Sequence, residues 1–414
     1  MDSLGKKLDL LLYTGALLIK CLADSNRIDR NVRRAAMYMG IPQDKFNMHI
    51  TYTSLILNIN AGSRSITKLQ KIHHHHANLN VHAQVSTLTW KVFQNEDIPL
   101  KEYEREILEI GKAVKIYPKW LTTVAVGLAC GCFSRLFGAD LAAVGITFTA
   151  SAIAYTVRSF LTSRQFNHYM AVAIAAFIAA MIAILGKDFS TTPNHPLIAS
   201  VLFLIPGIPL INSIDDLIDG FTMVGVTRIA TATIIIGAIS MGMLFAIWLL
   251  SFSSFQADTQ PQGNIFAAVA AAIAACGFAI LFNAPKRALL GCAIGGIIAV
   301  LIRNNLLLHV DMGLPLASFT AALCVGAATM YGVHVLHVPP PVLAVPSVIP
   351  MIPGVVMYDA MMGLIQLSTT TDYQQTELLV YTAQSGVTAC LTILAISLGI
   401  TIPNIVDRKY FSKK

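Results

Sequence analysis

Charged side chains are scarce in this 414-residue sequence: only 12% of the residues are Asp, Glu, Lys or Arg, while 55% are hydrophobic. Soluble globular chains carry about a quarter charged residues, which excludes a wholly soluble protein. Residues 1–119 hold 28 of the charged residues, and the other 295 residues hold 23. We therefore expect a soluble N-terminal domain over 1–119, followed by a membrane-embedded region.

Several signatures of other protein classes are also missing. The seven cysteines include no C-x-x-C pair, and Cys130 and Cys132 lie in an apolar segment, which is typical of packing residues. The sequence has no dense basic stripe with interleaved aromatic residues, so it gives no indication of nucleic-acid binding. His73–His76 is interpreted as a solvated polar turn, with metal binding as the alternative. We expect no metal and no cofactor.

The N-terminal region has the pattern of a mixed α/β domain on the cytosolic side. Residues 10–23, 27–39, 81–94 and 100–115 are predicted to be helical. Residues 45–59 and 63–71 are predicted to pair as a hairpin around a turn at 60–62. Asp24 and Ser25 are predicted to cap the helix that follows, with a hydrolase-like role as a weaker alternative. No nucleophile–base pair or phosphate loop is evident there, so we do not expect an enzyme.

From residue 120 onward, long apolar stretches predict about ten transmembrane helices, since about 20 apolar residues cross a bilayer. The first five-helix repeat covers 120–253 and the second covers 264–404, with a polar loop at 253–264 between them. The ten predicted segments are 120–136, 141–158, 169–186, 196–212, 228–252, 265–283, 288–303, 315–333, 341–358 and 377–402.

The basic residues favour cytosolic N- and C-termini in a bacterial inner membrane. With ten crossings, the cytosolic side receives Arg158, Arg164, Arg228, Lys286, Arg287, Lys409, Lys413 and Lys414. The outer side receives Arg135, Lys187 and Arg303. An excess of Lys and Arg in short cytoplasmic loops is the usual orientation signal.

The two apolar halves resemble each other at a nearly constant spacing. Arg158 aligns with Arg303 at an offset of 145 residues, and Pro206-Gly207 aligns with Pro353-Gly354 at 147. Because each half has an odd number of crossings, the halves are predicted to be inverted repeats, as in many secondary transporters. The alternative is a scaffold with duplicated helices.

The Pro-Gly pairs predict two broken helices and a substrate site. Such breaks are tolerated in a membrane where the freed backbone groups face protein or a water-filled cavity. We therefore expect the two breaks to face each other across a polar chamber, with two kinked structural helices as the alternative. The predicted substrate-binding residues at the breaks are Pro206, Gly207, Asn212, Pro353, Gly354 and Tyr358.

Ionisable residues near the breaks are candidates for function, because charges are costly inside a bilayer. Asp216, Asp359 and Asp215 are predicted to couple transport to protons, although Asp215 and Asp216 could instead lie in a cytosolic loop. Arg158 and Arg303 are predicted to attract a substrate carboxylate. Their alternative role is to anchor helix ends to lipid headgroups.

Certain motifs resemble the threonine/serine exporter family over nearly the whole chain. They include the run 203–212 around Pro206-Gly207, Asp216, Gly220, Arg228, the run 282–289 and Ile352-Pro353-Gly354. The chain resembles a fusion of the two subunits of a bacterial succinate exporter in that family. The resemblance implies export of threonine and serine, or of a dicarboxylate, driven by the proton gradient.

We therefore expect a secondary exporter of small polar metabolites that works by proton antiport. Threonine and serine are the leading substrates, and succinate-like dicarboxylates are the alternative. A membrane-anchored hydrolase is the alternative of another class, and a channel is a third. The expected partners are the small-molecule substrate, protons and membrane lipid, without nucleic acid. Homo-oligomer formation is left open.

Overall fold

The computed structural model describes residues 2–61, 64–94, 98–113, 115–252, 265–369 and 375–410. The predicted loop 253–264 and Gly62 of the predicted turn lie outside these ranges. The chain forms two compact units. The first unit comprises Met1–Ile116, Ile208–Ala230 and Phe282–Lys286, and the second comprises Tyr117–Gly207, Thr231–Leu281 and Arg287–Lys414.

The secondary structure is mostly helical, with one small sheet near the N-terminus. The first elements are α1 (Asp2–Lys20), α2 (Ser25–Tyr38), β1 (Phe46–Ile50), β2 (Ser54–Ala61), β3 (Arg64–Lys71), α3 (Leu79–Gln94) and α4 (Leu100–Lys112). The next are α5 (Lys119–Leu136), α6 (Leu141–Ser163), α7 (His168–Leu185), α8 (Asn194–Ala199), α9 (Gly207–Ile218) and α10 (Thr222–Leu249). The last are α11 (Ile265–Leu281), α12 (Leu289–His309), α13 (Leu314–Leu336), α14 (Pro340–Val348), α15 (Gly354–Thr369) and α16 (Gln375–Tyr410).

The sheet is antiparallel in the order β1-β2-β3. The sequence predicted a single strand over 45–59, but a tight turn divides this stretch into β1 and β2. In that turn the Thr51 hydroxyl accepts a hydrogen bond from the Ser54 amide at 2.9 Å, which is a common way for threonine to close a turn. Burial alternates along β2, with Leu55, Leu57 and Ile59 buried. One face of the sheet therefore packs on the core formed with α1, α2 and α3.

The first unit also contains segments that are distant in sequence from its N-terminal region. Asn283, which has a left-handed φ of 53°, joins it through three hydrogen bonds. The Asn283 Nδ2 donates to Asn78 Oδ1 at 2.8 Å, its carbonyl accepts from the Asn80 amide at 3.0 Å, and its Oδ1 accepts from the Ile116 amide at 2.9 Å. These bonds hold 282–286 to the start of α3.

In the described ranges, six helices and two bent helix pairs are long and apolar enough to cross a membrane. The bends are 58° between Asn194–Leu204 and Gly207–Ile218, and 56° between Pro340–Met351 and Gly354–Leu364. Each of the ten predicted segments falls on a helix or on a bent pair. Eight satisfy the length and hydropathy expected of a span, whereas α5 and α11, with 18 and 17 residues, are not among them. Ten crossings therefore stay a prediction.

Within the second unit, the helices of the two halves pack in the same pattern. In the first half α5 contacts α6, α6 contacts α7, and α8 contacts all three. In the second half α11 contacts α12, α12 contacts α13, and α14 contacts all three. Glycines allow equivalent close approaches, because Gly242 of α10 faces the backbone of Ala173 and Phe177, and Gly399 of α16 faces that of Phe319 and Leu323.

Candidate transport site

The two Pro-Gly breaks lie against each other, through contacts within the second unit. A Cβ atom built on Gly207 would lie 2.6 Å from Ile349 Cδ1 and 2.7 Å from Ile352 Cδ1. A Cβ atom built on Gly354 would lie 2.5 Å from Leu202 Cδ2 and 3.2 Å from Ile205 Cδ1. Both glycines therefore lie in close contact with apolar side chains of the other half, and a larger residue at either position would have to displace those side chains.

The residues that the two glycines contact are themselves related by the sequence repeat. Ile349 and Ile352 lie 147 positions after Leu202 and Ile205, the same offset that relates the two Pro-Gly pairs. Each glycine follows a proline, which has no amide hydrogen, and each donates to the carbonyl of the residue before that proline. The expected polar chamber is not found at the point of closest approach, because four apolar side chains fill it.

Arg303 reaches the second break from α12. Its side chain is 8% exposed, and its Nη1 donates to the Pro350 carbonyl at 3.4 Å, while its Nε donates to Asn304 Oδ1 at 3.0 Å. No ion pair joins Arg303 to a carboxylate within the described ranges. Buried ionisable residues in apolar helices usually have a specific partner or role, and for Arg303 both the substrate-binding and the headgroup-anchoring role stay predictions.

Arg158 differs from its repeat-related partner. It lies half-buried on α6, one turn after Tyr155, whose ring contacts that of Phe203 edge-on at a centroid distance of 6.1 Å. Phe203 belongs to the turn before the first break, so α6 approaches that break as α12 approaches the second. Among the described contacts, Arg303 bonds to the backbone of its break, whereas α6 makes the corresponding contact through Tyr155 rather than Arg158.

Tyr358 and Asp359 lie on α15, one turn after the second break. Tyr358 is 7% exposed, and its hydroxyl has no hydrogen-bond partner in the described part of the chain. Asp359 is half-buried and accepts a hydrogen bond from the Tyr381 hydroxyl at 3.0 Å. Asp359 occupies the position of Asn212 in the repeat, at the same offset of 147. The second half therefore carries a carboxylate where the first carries an amide.

Asn212, Asp215 and Asp216 belong to α9, and within the first unit Asn212 and Asp216 contact the turn between α1 and α2. Asn212 Nδ2 donates to the Leu22 carbonyl at 2.7 Å, and Asp216 Oδ1 accepts from the Ser25 amide at 2.7 Å. Asp216 is fully buried, while Asp215 is half-buried. Asp215 and Asp216 are therefore helical residues, not loop residues.

Arg228 on α10 is the main polar residue of this cluster that sequence reasoning did not assign to the site. Its Nε lies 2.8 Å from Asp216 Oδ2, and the two side chains are 3% and 0% exposed. Its Nη2 also donates to the Ala23 carbonyl at 2.6 Å. The available signal was an arginine within a long apolar helix, which is rare unless it has a specific role.

The α1–α2 turn carries further buried charge. Asp24 caps α2 as predicted, accepting from the Arg27 amide at 2.8 Å, and it pairs with Arg27 Nε at 3.1 Å. Burial alone would raise the pKa of Asp24, but the charge and amide hydrogen bond of Arg27 outweigh it and hold that pKa below its usual range. Burial, followed by the charge of Arg27, lowers the pKa of His82 to about 3, so His82 is neutral at physiological pH.

The four consecutive histidines do not form a metal site with their described neighbours. No group of three or more His, Cys, Asp or Glu side chains suited to a metal ion occurs in the described ranges. His75 instead bonds through Nε2 to the Tyr52 carbonyl at 2.8 Å and stacks on the Tyr52 ring at 4.3 Å. The Arg228 guanidinium lies 5.8 Å from the centroid of the same Tyr52 ring.

Two family models together account for most of the chain. The model described as "Putative threonine/serine exporter" matches residues 9–250, and that described as "Threonine/Serine exporter, ThrE" matches residues 267–406. The chain belongs to the threonine/serine exporter family. It joins in one polypeptide two regions that match separate models of this family, as the resemblance to a fused exporter implied.

Individual relatives agree with membership of the threonine/serine exporter family. The chain is 29% identical over 241 residues to "Probable succinate transporter subunit YjjP" of Escherichia coli K12, which covers 58% of this chain and 92% of that protein. The Klebsiella aerogenes protein of the same name is 29% identical over 228 residues, covering 54% and 86%. No solved structure matches the chain. Family and relatives are transporters, not enzymes, so the chain is a multi-pass membrane transport protein and not a hydrolase.

Proposed function

We propose that this chain is a secondary active exporter of small polar metabolites, and that threonine and serine are its leading substrates, exchanged for protons. The reciprocal contact of the two breaks carries this proposal. Two equivalent glycines that each pack on the other half are the arrangement expected of inverted repeats that meet at a central site. The predicted arrangement of ten crossings with cytosolic termini belongs to this proposal.

In this mechanism the two halves move against each other around the breaks. Each break frees backbone groups that can bind a substrate, as the Pro350 carbonyl already binds Arg303. The apolar side chains between Gly207 and Gly354 close the path at the breaks, so they must separate for substrate to pass. Asp359, Asp216 and Asp215 are the candidate proton-coupling residues, since a carboxylate can change its charge between inward- and outward-facing states.

A dicarboxylate is the second candidate substrate, and two observations favour it. Arg303 is a buried cation with no ion-pair partner among the described residues, and the curated relatives carry the name succinate transporter subunit. The corresponding groups for an amino acid are Arg303 or Asn212 for its carboxylate and Asp216 or Asp359 for its ammonium group.

Counterflow in proteoliposomes separates these substrates. Vesicles containing the purified full chain are loaded with unlabelled threonine, serine, succinate or malate, and uptake of the same labelled compound is followed. We expect saturable counterflow of threonine and serine that is absent from vesicles lacking the protein. Counterflow of succinate and malate alone would assign the dicarboxylate function. Uptake that does not saturate would indicate a channel and contradict the proposal.

A further inference from the structure

The α1–α2 turn offers its backbone to three buried polar side chains of α9 and α10. The Leu22 carbonyl accepts hydrogen bonds from Asn212 Nδ2 at 2.7 Å and from Arg228 Nη1 at 3.4 Å. The Ala23 carbonyl accepts from Arg228 Nη2 at 2.6 Å. The Ser25 amide donates to Asp216 Oδ1 at 2.7 Å. Every one of these contacts lies within the first unit.

These contacts have the chemistry of amino-acid recognition. An amide and a guanidinium donate to two adjacent carbonyl oxygens, as they would to the two oxygens of a carboxylate. A carboxylate accepts from an N–H group, as it would from an ammonium group. A dicarboxylate would place a negative charge against Asp216 instead. The side chains of Asn212, Asp216 and Arg228 are thus complementary to a group that carries both an ammonium and a carboxylate.

The turn contains a left-handed residue where it closes the C-terminus of α1, with the Ala23 amide donating to the Leu18 carbonyl at 3.1 Å. Leu22 has a φ of 63°, in the left-handed region that residues with a Cβ atom seldom adopt. Asn26 adds a contact at the rim of the cluster, where its Nδ2 donates to Asp219 Oδ2 at 2.6 Å. The turn therefore meets α9 and α10 through polar contacts, and a ligand that supplies the same groups can take its place at those side chains.

We propose that residues 22–25 are a built-in occupant of a polar binding site formed by Asn212, Asp216 and Arg228, and that a free α-amino acid displaces them. This inference rests on the proposed function. Arg228 and Asp216 are almost fully buried, and buried polar groups are costly without partners. Withdrawal of the turn is therefore favourable when a ligand supplies equivalent groups, which couples movement of the N-terminal region to ligand binding.

Ser25→Pro tests the occupant without a substitution at Asn212, Asp216 or Arg228. Proline lacks the amide hydrogen that Asp216 accepts, yet it suits the first position of a helix. Asp24, with φ −65° and ψ 151°, already has the extended conformation required before proline. Ser25→Ala is the matched control, because it keeps the amide hydrogen. Asn26→Ala is a second weakening variant, with a change confined to the rim.

The measurement is equilibrium binding of labelled threonine to the purified full chain in detergent. If about nine-tenths of the protein has residues 22–25 in the site, releasing them tightens the apparent affinity for threonine about tenfold. We expect Ser25→Pro to approach that gain, Asn26→Ala to show a smaller gain, and Ser25→Ala to match wild type. Hydrogen exchange of the 20–30 peptide should accelerate when threonine is added to wild type.

Several results would overturn the inference. They are unchanged affinity in both weakening variants, an equal gain in Ser25→Ala, or no threonine binding by any form of the protein. Failure of the proposed function is distinguishable, because it is read from counterflow by the wild-type protein across all four substrates. If the wild-type protein shows counterflow but the weakening variants bind threonine with unchanged affinity, the exporter proposal stands. The proposal that residues 22–25 occupy the binding site is then refuted.

Discussion

Replacing Arg228 with methionine is expected to destabilise the first unit by about 3–5 kcal/mol, the usual cost of removing one partner from a buried ion pair. Arg228 Nε lies 2.8 Å from Asp216 Oδ2, and neither side chain is more than 3% exposed. The substitution leaves the Asp216 carboxylate buried, with the Ser25 amide still donating to its Oδ1. It also removes the donor to the Ala23 carbonyl. Thermal unfolding of the full chain in detergent, with hydrogen exchange of the 20–30 peptide, measures the effect.

A half-buried ion pair of similar length provides the control. Arg33 Nε lies 2.9 Å from Asp29 Oδ2, but the two side chains are 34% and 26% exposed. Arg33→Met should therefore cost less than about 1 kcal/mol. Adding Asp216→Asn to Arg228→Met should recover part of the loss, because no buried charge then remains unpaired. Equal destabilisation by Arg228→Met and Arg33→Met would show that burial does not govern the Arg228–Asp216 pair.

Asp359→Asn is expected to slow transport driven by a pH gradient by about tenfold or more, equivalent to at least ~1.4 kcal/mol. Asparagine keeps the size of the side chain but cannot change its charge. The position tolerates an amide in the other half, where Asn212 is the repeat-related residue. Counterflow, which needs no proton movement, should therefore be retained. Initial rates of labelled threonine uptake into proteoliposomes, with and without an imposed pH gradient, measure both quantities.

Tyr381→Phe is the companion variant for Asp359. It removes the hydroxyl that donates to Asp359 Oδ2 at 3.0 Å and leaves the carboxylate in place. We expect this variant to keep its response to the pH gradient, with the pH dependence of the rate displaced. If Asp359→Asn responded to the gradient as wild type does, Asp359 would not be the coupling residue. The candidates on α9 would then be tested by the same assay.

The helix breaks could be predicted from sequence because their cause is local. Proline removes an amide donor and glycine loosens the helix wherever they occur, so Pro206-Gly207 and Pro353-Gly354 indicated the bends directly. Helix boundaries such as the Asp24 cap follow from the same local chemistry. The sequence predicted that the two breaks face each other, but not the direct apolar contact of Gly207 with Ile349 and of Gly354 with Leu202, because a repeat in sequence does not specify which side chains fill the space between two breaks.

The contacts of the polar cluster in the first unit could not be predicted for a different reason, although Asn212 and Asp216 were predicted as site residues. Arg228 and Ala23 are 205 positions apart, and Asp216 and Ser25 are 191 apart. Hydrophobic periodicity and turn motifs report neighbours a few positions away, so they carry no information on such pairs. The same limit applies to domain boundaries. The domain predicted over 1–119 did not include residues 208–230 or 282–286, which the structure places in the first unit.

A reversible cross-link between the two breaks tests the central claim most directly. The Cβ atom built on Gly354 lies 3.8 Å from Leu202 Cγ, the atom whose place the sulfur of a cysteine at position 202 would take, and that cysteine removes the Leu202 atom nearest to Gly354. The measurement is threonine counterflow by the Leu202→Cys/Gly354→Cys protein in proteoliposomes, before and after reduction. We predict that the oxidised protein does not transport and that reduction restores transport. Equal rates in the cross-linked and reduced forms would contradict an exporter in which the two breaks must separate.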